Sequence, residues 1–133
     1  YVDLDAKEPF KKEKDEKSGQ INLIDSEKSI LSHFKDVKVI INTLSKYCFD
    51  NNEKLAIASR ALSTESAMNL LDLFELNPYF SSIHVYSVPK NVHLNAIKKE
   101  LNVNSFREML FFDDNKHNIR IAKEMKVCTY LIN

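Results

Sequence analysis

Short apolar runs alternate with helical patterns along most of this chain, and this alternation restricts its fold more than any other feature. Four runs read as strands: KLAIAS (54–59), SIHVYS (82–87), EMLFF (108–112) and VCTYLI (127–132). Three intervening segments show apolar residues at helical spacing: 64–76, 91–101 and 118–125. Strands separated by helices predict parallel βαβ units, and therefore an α/β three-layer sandwich with a mostly parallel sheet.

The first third of the chain is less regular. Residues 11–20, KKEKDEKSGQ, are a mixed charge run that predicts a solvated surface loop, with a flap beside an active site as the alternative. INLI at 21–24 reads as a short strand or as the end of that loop. From Val37 the apolar residues again recur at helical spacing, with Asp36 as a plausible N-cap. A length of 133 residues predicts a single domain over 1–133.

Composition excludes several classes of function. The chain has one glycine, Gly19, where average usage would give about nine, so it contains neither a Walker-type phosphate loop nor a G-x-G-x-x-G motif. Nineteen basic and nineteen acidic residues leave no net charge, which argues against nucleic-acid binding. Any bound phosphate must therefore be held by side chains and ordinary backbone.

The cysteines indicate the cellular compartment of the protein, and the histidines argue against a zinc site. Cys48 and Cys128 form no C-x-x-C motif and read as buried small apolar residues, so we expect a reducing, cytoplasmic location. No apolar run approaches 18 residues, so no membrane association is expected. The four histidines form no H-x-x-x-H or H-E-x-x-H pair, which argues against a zinc site. We expect the protein to be a monomer.

Two adjacent carboxylates, Asp113 and Asp114, follow the apolar run EMLFF. Two buried like charges are costly unless a cation, a partner or water compensates them. Mg²⁺ is a suitable cation because it takes oxygen ligands, typically one or two protein carboxylates completed by water or phosphate oxygens. The alternative is that one of the two aspartates simply caps the turn and helix that follow.

Polar residues also follow two of the other predicted strands. Ser59 ends the run AIAS and precedes Arg60, and Lys90 lies in the predicted loop SVPKNV. A hydroxyl can bind a phosphoryl oxygen, and a lysine can neutralise one as a point charge. Each residue alone is equally compatible with a turn or surface position. All of them follow strands, however, and ligand sites of open parallel sheets form at the carboxyl ends of strands.

Along the chain a serine comes first, then a lysine, then a pair of aspartates. This order resembles motifs II, III and IV of the haloacid dehalogenase superfamily. Three stretches are similar to its magnesium-dependent phosphatase family: LAIASRALSTESAMNLLDLFELNPYF, HVYSVPKNVHLNAI and MLFFDDNKHNIRIAKEMKVCTYLI. The resemblance implies a Mg²⁺-dependent phosphomonoester hydrolase with an aspartyl-phosphate intermediate. It implies that Ser59 and Lys90 bind the phosphoryl group, that Asp113 and Asp114 bind the metal, and that Arg60 faces the substrate.

The same resemblance implies a phosphotyrosine or sugar-phosphate type of substrate, carried by a small molecule or a phosphoprotein. The interval between Ser59 and Lys90 holds one predicted helix and one strand, which leaves no room for a large cap domain. The main alternative from a different functional class is a phosphoreceiver domain. Its acidic pair ends the first strand and its lysine comes last, whereas here Lys90 precedes the acidic pair.

The nucleophile of the family comes from a first motif, an apolar strand that ends in D-x-D. Asp3-Leu4-Asp5 spells D-x-D, but only Tyr1 and Val2 precede it, and Ala6-Lys7-Glu8 departs from the residues that normally follow. The start of the chain better resembles the segment just downstream of that motif. We therefore predict that the nucleophile strand lies upstream of Tyr1. A catalytically silent interaction module is the alternative.

Overall fold

A computed structural model describes residues 10–24, 30–31, 37–61 and 63–133. The chain divides into two compact units, residues 1–53 with 63–79 and residues 54–62 with 80–133. Asp3, Asp5 and Asp36, which carry predictions above, lie outside the described residues. Within the described ranges, none of the helices combines the length and apolar character needed to cross a membrane.

The first unit contains an antiparallel sheet. Strand β1 (Lys11–Lys14) pairs with β2 (Ile21–Ile24), which pairs in turn with β3 (Ile30–Leu31). Residues 11–20 are therefore a strand and a turn rather than the predicted loop, although every one of them is exposed as expected. Pairing with β2 satisfies the backbone of β1 while its charged side chains stay in water. INLI is confirmed as a strand.

Two helices complete the first unit, α1 (Val37–Asp50) and α2 (Thr64–Leu73), with a short 3₁₀ turn at Asn77–Tyr79. The N-cap of α2 is Ser63, whose hydroxyl accepts the N–H of Ser66 at 3.2 Å. The predicted apolar face of α1 is only partly covered, since Ile40 and Tyr47 remain more than half exposed.

The second unit is built from parallel strand pairs and helices. Its elements are β4 (Ala56–Ser59), β5 (Ser82–Val85), α3 (Lys90–Glu100), a 3₁₀ turn (Phe106–Glu108), β6 (Leu110–Asp113), α4 (Lys116–Glu124) and β7 (Cys128–Leu131). β4 pairs with β5 and β6 pairs with β7, both in parallel. Helix α3 contacts β4 and β5, whereas α4 contacts β6 and β7. The α/β class and the mostly parallel pairing are confirmed.

The core of the second unit lies between these strands and helices. Its buried members come from α3, β6, α4 and the residue just before β7: Leu94, Phe111, Ile119, Ala122 and Val127. Because strand side chains alternate between faces, Phe112 points the other way and stacks on Tyr130, with ring centroids 5.4 Å apart. Cys128 is exposed, contrary to the prediction, whereas Cys48 is buried as predicted.

Helix ends show how the chain folds with one glycine. A residue in the left-handed region follows each of α2, α3 and α4: Glu75, Asn102 and Lys126, with φ of 59°, 54° and 69°. After α4, the Lys126 N–H donates to the Lys123 carbonyl at 2.9 Å, and the Val127 N–H donates to Ala122 at 3.0 Å. This pattern satisfies carbonyls at the helix end and normally uses glycine. Side-chain-bearing residues adopt this conformation at a cost in backbone energy.

Lys126→Gly should raise the free energy of unfolding by up to about 1 kcal/mol, because glycine adopts a positive φ without steric cost. Urea unfolding measures the change. The matched control is Lys123→Gly inside α4, which should lower the free energy of unfolding by about 1 kcal/mol. A Lys126→Gly protein no more stable than wild type would contradict this account of the helix end.

Candidate functional site

The carboxyl ends of β4 and β6 hold the predicted site residues of the second unit. Ser59 is the last residue of β4 and Asp113 is the last residue of β6. Lys90 is the first residue of α3 rather than part of a loop, which corrects the prediction. Pro89, with φ of −62°, is the N-cap, and its carbonyl accepts the N–H of Val92 at 3.1 Å. The proline ring limits φ to a value that suits a helix start.

Lys90 brings the two strand ends together. The residue is only 4% exposed. Its Nζ lies 3.6 Å from Asp113 Oδ2 and donates a hydrogen bond to the main-chain oxygen of Ala58. Burial lowers the pKa of Lys90, while the charges of Asp113 and then Asp114 act in the opposite direction. Buried lysines are rare unless paired, so this one points to a use for its charge.

The Asp113 carboxylate is held in one orientation by neutral donors. Its Oδ1 accepts the N–H of Asn115 at 2.8 Å, and Asn118 Nδ2 lies 3.1 Å from both of its oxygens. Its side chain is 10% exposed, whereas Asp114 is exposed. The alternative of an aspartate cap holds for the turn, because Asp113 accepts the N–H of Asn115, but helix α4 itself is capped by Asn115, which accepts the N–H of His117 at 2.8 Å. The cap also makes α4 begin at Lys116, two residues earlier than predicted.

The aspartate pair fits part of a magnesium site. Within the described ranges, no group of three or more His, Cys, Asp or Glu could hold a metal ion. A carboxylate has about four lone-pair positions, so the three contacts to Asp113 leave capacity for a cation. Mg²⁺ commonly uses one or two protein carboxylates and completes its shell with water or phosphate oxygens. Asp113 and Asp114 therefore suit one side of such a site.

Ser59 supplies a hydroxyl at the end of β4. Its main-chain oxygen accepts the N–H of Tyr86 at 3.1 Å, but its hydroxyl makes no hydrogen bond to any residue that the structure describes. Ala58, which accepts from Lys90, is its neighbour in β4. Arg60 is exposed, and its charge contributes to lowering the pKa of Lys90. The contacts of Lys90 thus join the strand end at Ser59 to the strand end at Asp113.

Sequence reasoning assigned no role to Asn115 and Asn118. Asparagine directly before a helical pattern is a cap signal, so Asn115 could have been identified. The Asn118 amide reaches Asp113 only because the turn brings α4 back over the end of β6, and the sequence alone does not specify that contact. His117 is exposed, and its Nδ1 lies 3.1 Å from Arg120 Nη2.

Comparison with known proteins places this site in a family. A family model described as acid phosphatase matches residues 1–133. The chain belongs to the acid phosphatase family. It is also 34% identical over 79 residues to magnesium-dependent phosphatase 1 of Homo sapiens, a match that covers 59% of this chain and 44% of the human protein. The chain thus spans less than half the length of this curated relative. The predicted kinship with a magnesium-dependent phosphatase family is confirmed.

This acid phosphatase family member has a second polar cluster on the same unit. Glu100 Oε2 accepts the Ser82 hydroxyl at 2.7 Å and lies 2.6 Å from His84 Nε2. His84 Nδ1 lies 2.9 Å from the Tyr86 hydroxyl. The hydrogen bonds from Ser82 and then His84 lower the pKa of Glu100 below its ordinary value of 4.5. The cluster ties β5 to the end of α3.

Glu100→Gln should lower stability near neutral pH, and its difference from wild type should vanish in acid. A carboxylate whose folded pKa is depressed stabilises the fold above about pH 4.5, and the contribution is lost as the pH falls through the folded pKa. Urea unfolding at neutral pH and well below pH 4.5 measures this. Glu124→Gln on exposed α4 is the control. A difference from wild type that does not change with pH would refute the role of the Glu100 charge.

Proposed function

We propose that this chain is the phosphoryl-binding part of a Mg²⁺-dependent phosphomonoester hydrolase of the haloacid dehalogenase type. The observation that carries the proposal is the buried Lys90 ammonium, 3.6 Å from the Asp113 carboxylate at the strand ends that also hold Ser59. Membership of the acid phosphatase family supports it. The name of the human relative supports the choice of magnesium.

Ser59 and Lys90 would bind the phosphoryl group. The Ser59 hydroxyl has no partner within the described part of the chain, so it is available to donate to a phosphoryl oxygen. Of the three N–H donors of Lys90, one is directed to Ala58 and Asp113 Oδ2 lies 3.6 Å from Nζ, which leaves at least one donor for substrate. A preoriented cation at this position stabilises charge that develops as the phosphoryl group transfers. Arg60, exposed at the same strand end, would face the remainder of the substrate.

Asp113 would bind Mg²⁺ directly, and Asp114 would bind it directly or through water. When bound, the ion would offset charge on the phosphoryl oxygens. The asparagine donors would keep the Asp113 lone pairs oriented, as groups behind metal ligands commonly do.

The nucleophile would come from a D-x-D strand upstream of Tyr1 rather than from Asp3 and Asp5. Among the described strands, β4 pairs only with β5 and β6 pairs only with β7. The carbonyl of Ser59 points to β5, where it accepts the N–H of Tyr86. Successive carbonyls of a strand point to opposite sides, so the carbonyl of Ala58 points away from β5, to the unpaired edge of β4. There it accepts a hydrogen bond from Lys90. A parallel strand between β4 and β6 would end beside Lys90 and complete one sheet of a three-layer sandwich.

The proposed reaction has two steps. A carboxylate oxygen of the first aspartate attacks phosphorus, the ester P–O bond breaks, and the second aspartate protonates the leaving oxygen. The second aspartate then removes a proton from water, which cleaves the acyl phosphate and releases inorganic phosphate. Between Ser59 and Lys90 the described elements are α2, a 3₁₀ turn and β5, an interval too short for a large cap domain. Such an open site suits phosphotyrosine or sugar-phosphate monoesters.

Asp113→Asn in the full-length protein should abolish the response to Mg²⁺ and lower hydrolysis of p-nitrophenyl phosphate at least about 100-fold. The carboxamide keeps the volume of the side chain, so the circular dichroism spectrum should be unchanged. Activity is measured as Mg²⁺ is added to chelator-treated protein. Asp50→Asn at the end of α1 is the matched control and should behave as wild type. A normal Mg²⁺ titration of the Asp113→Asn protein would remove this residue from the metal site.

Lys90→Met should lower kcat/KM by about 100- to 1,000-fold, because one charge stabiliser of the transferring group is lost. Steady-state kinetics with p-nitrophenyl phosphate measures it. Lys99→Met, on the exposed side of the same helix, should remain near wild type. A Lys90→Met protein with wild-type kinetics would contradict its role. A wild-type protein without hydrolysis would instead favour the catalytically silent or phosphoreceiver-like module.

A further inference from the structure

His93 is a buried titratable residue that the proposed reaction does not use. It lies on α3, three residues after Lys90, and is 0% exposed. It is the largest fully buried side chain among the described residues. Residues three apart on a helix share a face, so His93 lies on the side of α3 from which Lys90 reaches the strand ends.

The contacts of His93 indicate which of its ring nitrogens carries a hydrogen. Nε2 lies 3.0 Å from the Tyr86 main-chain oxygen, which can only accept, so Nε2 carries the hydrogen. Burial lowers the pKa of His93, the charges of Lys90 and His84 lower it further, and the Tyr86 and Ser59 main chains act in the opposite direction. Nδ1 is buried and has no hydrogen-bond partner among the residues the structure describes.

The Tyr86 peptide joins His93 to the phosphoryl-binding end of β4. The Tyr86 N–H donates to the Ser59 carbonyl at 3.1 Å, and the Tyr86 carbonyl accepts from His93. The tyrosine and histidine rings also pack together, with centroids 4.7 Å apart. Two hydrogen bonds through one residue thus connect Ser59 with the helix that begins at Lys90.

A leucine of similar volume would pack in this position without an unpaired nitrogen. Buried polar atoms without a partner cost stability, so Nδ1 is a cost that a purely structural residue would avoid. What the imidazole adds over leucine is the hydrogen bond from Nε2 to Tyr86.

We propose that His93 is a positioning residue, which holds Lys90 and Ser59 at a fixed separation through the Tyr86 main chain so that both contact one phosphoryl group. The inference rests on the proposed function, because it assigns Lys90 and Ser59 to the same ligand. It adds to that function a residue that touches neither substrate nor metal.

Replacement of His93 by leucine and by glutamine separates the hydrogen bond from packing. In the full-length protein, His93→Leu should lower kcat for p-nitrophenyl phosphate about 10- to 100-fold with a smaller change in KM. His93→Gln should recover most of the lost kcat, because the glutamine amide can donate to the Tyr86 oxygen. Leu94→Ala is the control: it damages the core on the same helix and should lower stability while leaving kcat of the folded protein near wild type.

Equal kcat for His93→Leu and wild type would overturn the proposal, as would a folded His93→Gln protein as slow as His93→Leu. Amide NMR spectra provide a readout that needs no turnover. His93→Leu should shift the signals of Ser59, Tyr86 and Lys90, and His93→Gln should return them toward their original positions. Unmoved signals would also overturn the proposal. An inactive wild-type protein with these shifts would refute the proposed function while supporting the link through Tyr86.

Discussion

The second unit depends on how one buried charge is compensated. The Lys90 ammonium loses most of its water at 4% exposure, and the Asp113 carboxylate, the Ala58 carbonyl and the face of Phe111, 5.8 Å from Nζ, replace it in part. Compensation is incomplete, because burial outweighs the neighbouring charges and leaves the pKa of Lys90 lowered. A bound phosphoryl group, being an anion, would supply the remaining compensation, which is why this pair carries the functional proposal.

Neutral groups orient the charged ones. Asn115 and Asn118 hold the Asp113 carboxylate, and the Tyr86 peptide connects Ser59 with His93 on the helix of Lys90. Such donors fix the direction of the carboxylate without adding net charge to the site. The asparagines are exposed or half-buried, whereas His93 is fully buried. The orientation of Lys90 is therefore linked to the core more closely than that of Asp113.

Scarcity of glycine affects both the fold and the site. Helices end on left-handed Glu75, Asn102 and Lys126, and the chain retains these turns by hydrogen bonding of the helix-end carbonyls. A glycine-rich phosphate loop is equally excluded, and the proposed phosphoryl contacts come from the Ser59 and Lys90 side chains. Side chains at strand ends need hydrogen-bond partners to hold their orientation. The polar contacts at the ends of β4 and β6 meet this requirement.

The sequence by itself determined the α/β class, the order of strands and helices after residue 54, and the positions of Ser59, Lys90 and Asp113. Periodicity and capping are local properties, so neighbouring residues encode them. Only the tertiary structure decided that Lys90 begins a helix, that residues 11–14 form a strand, and that Cys128 faces water. It also decided the contacts of Asn118 and His93, because these depend on which distant segments pack together and on which side chains then lose water.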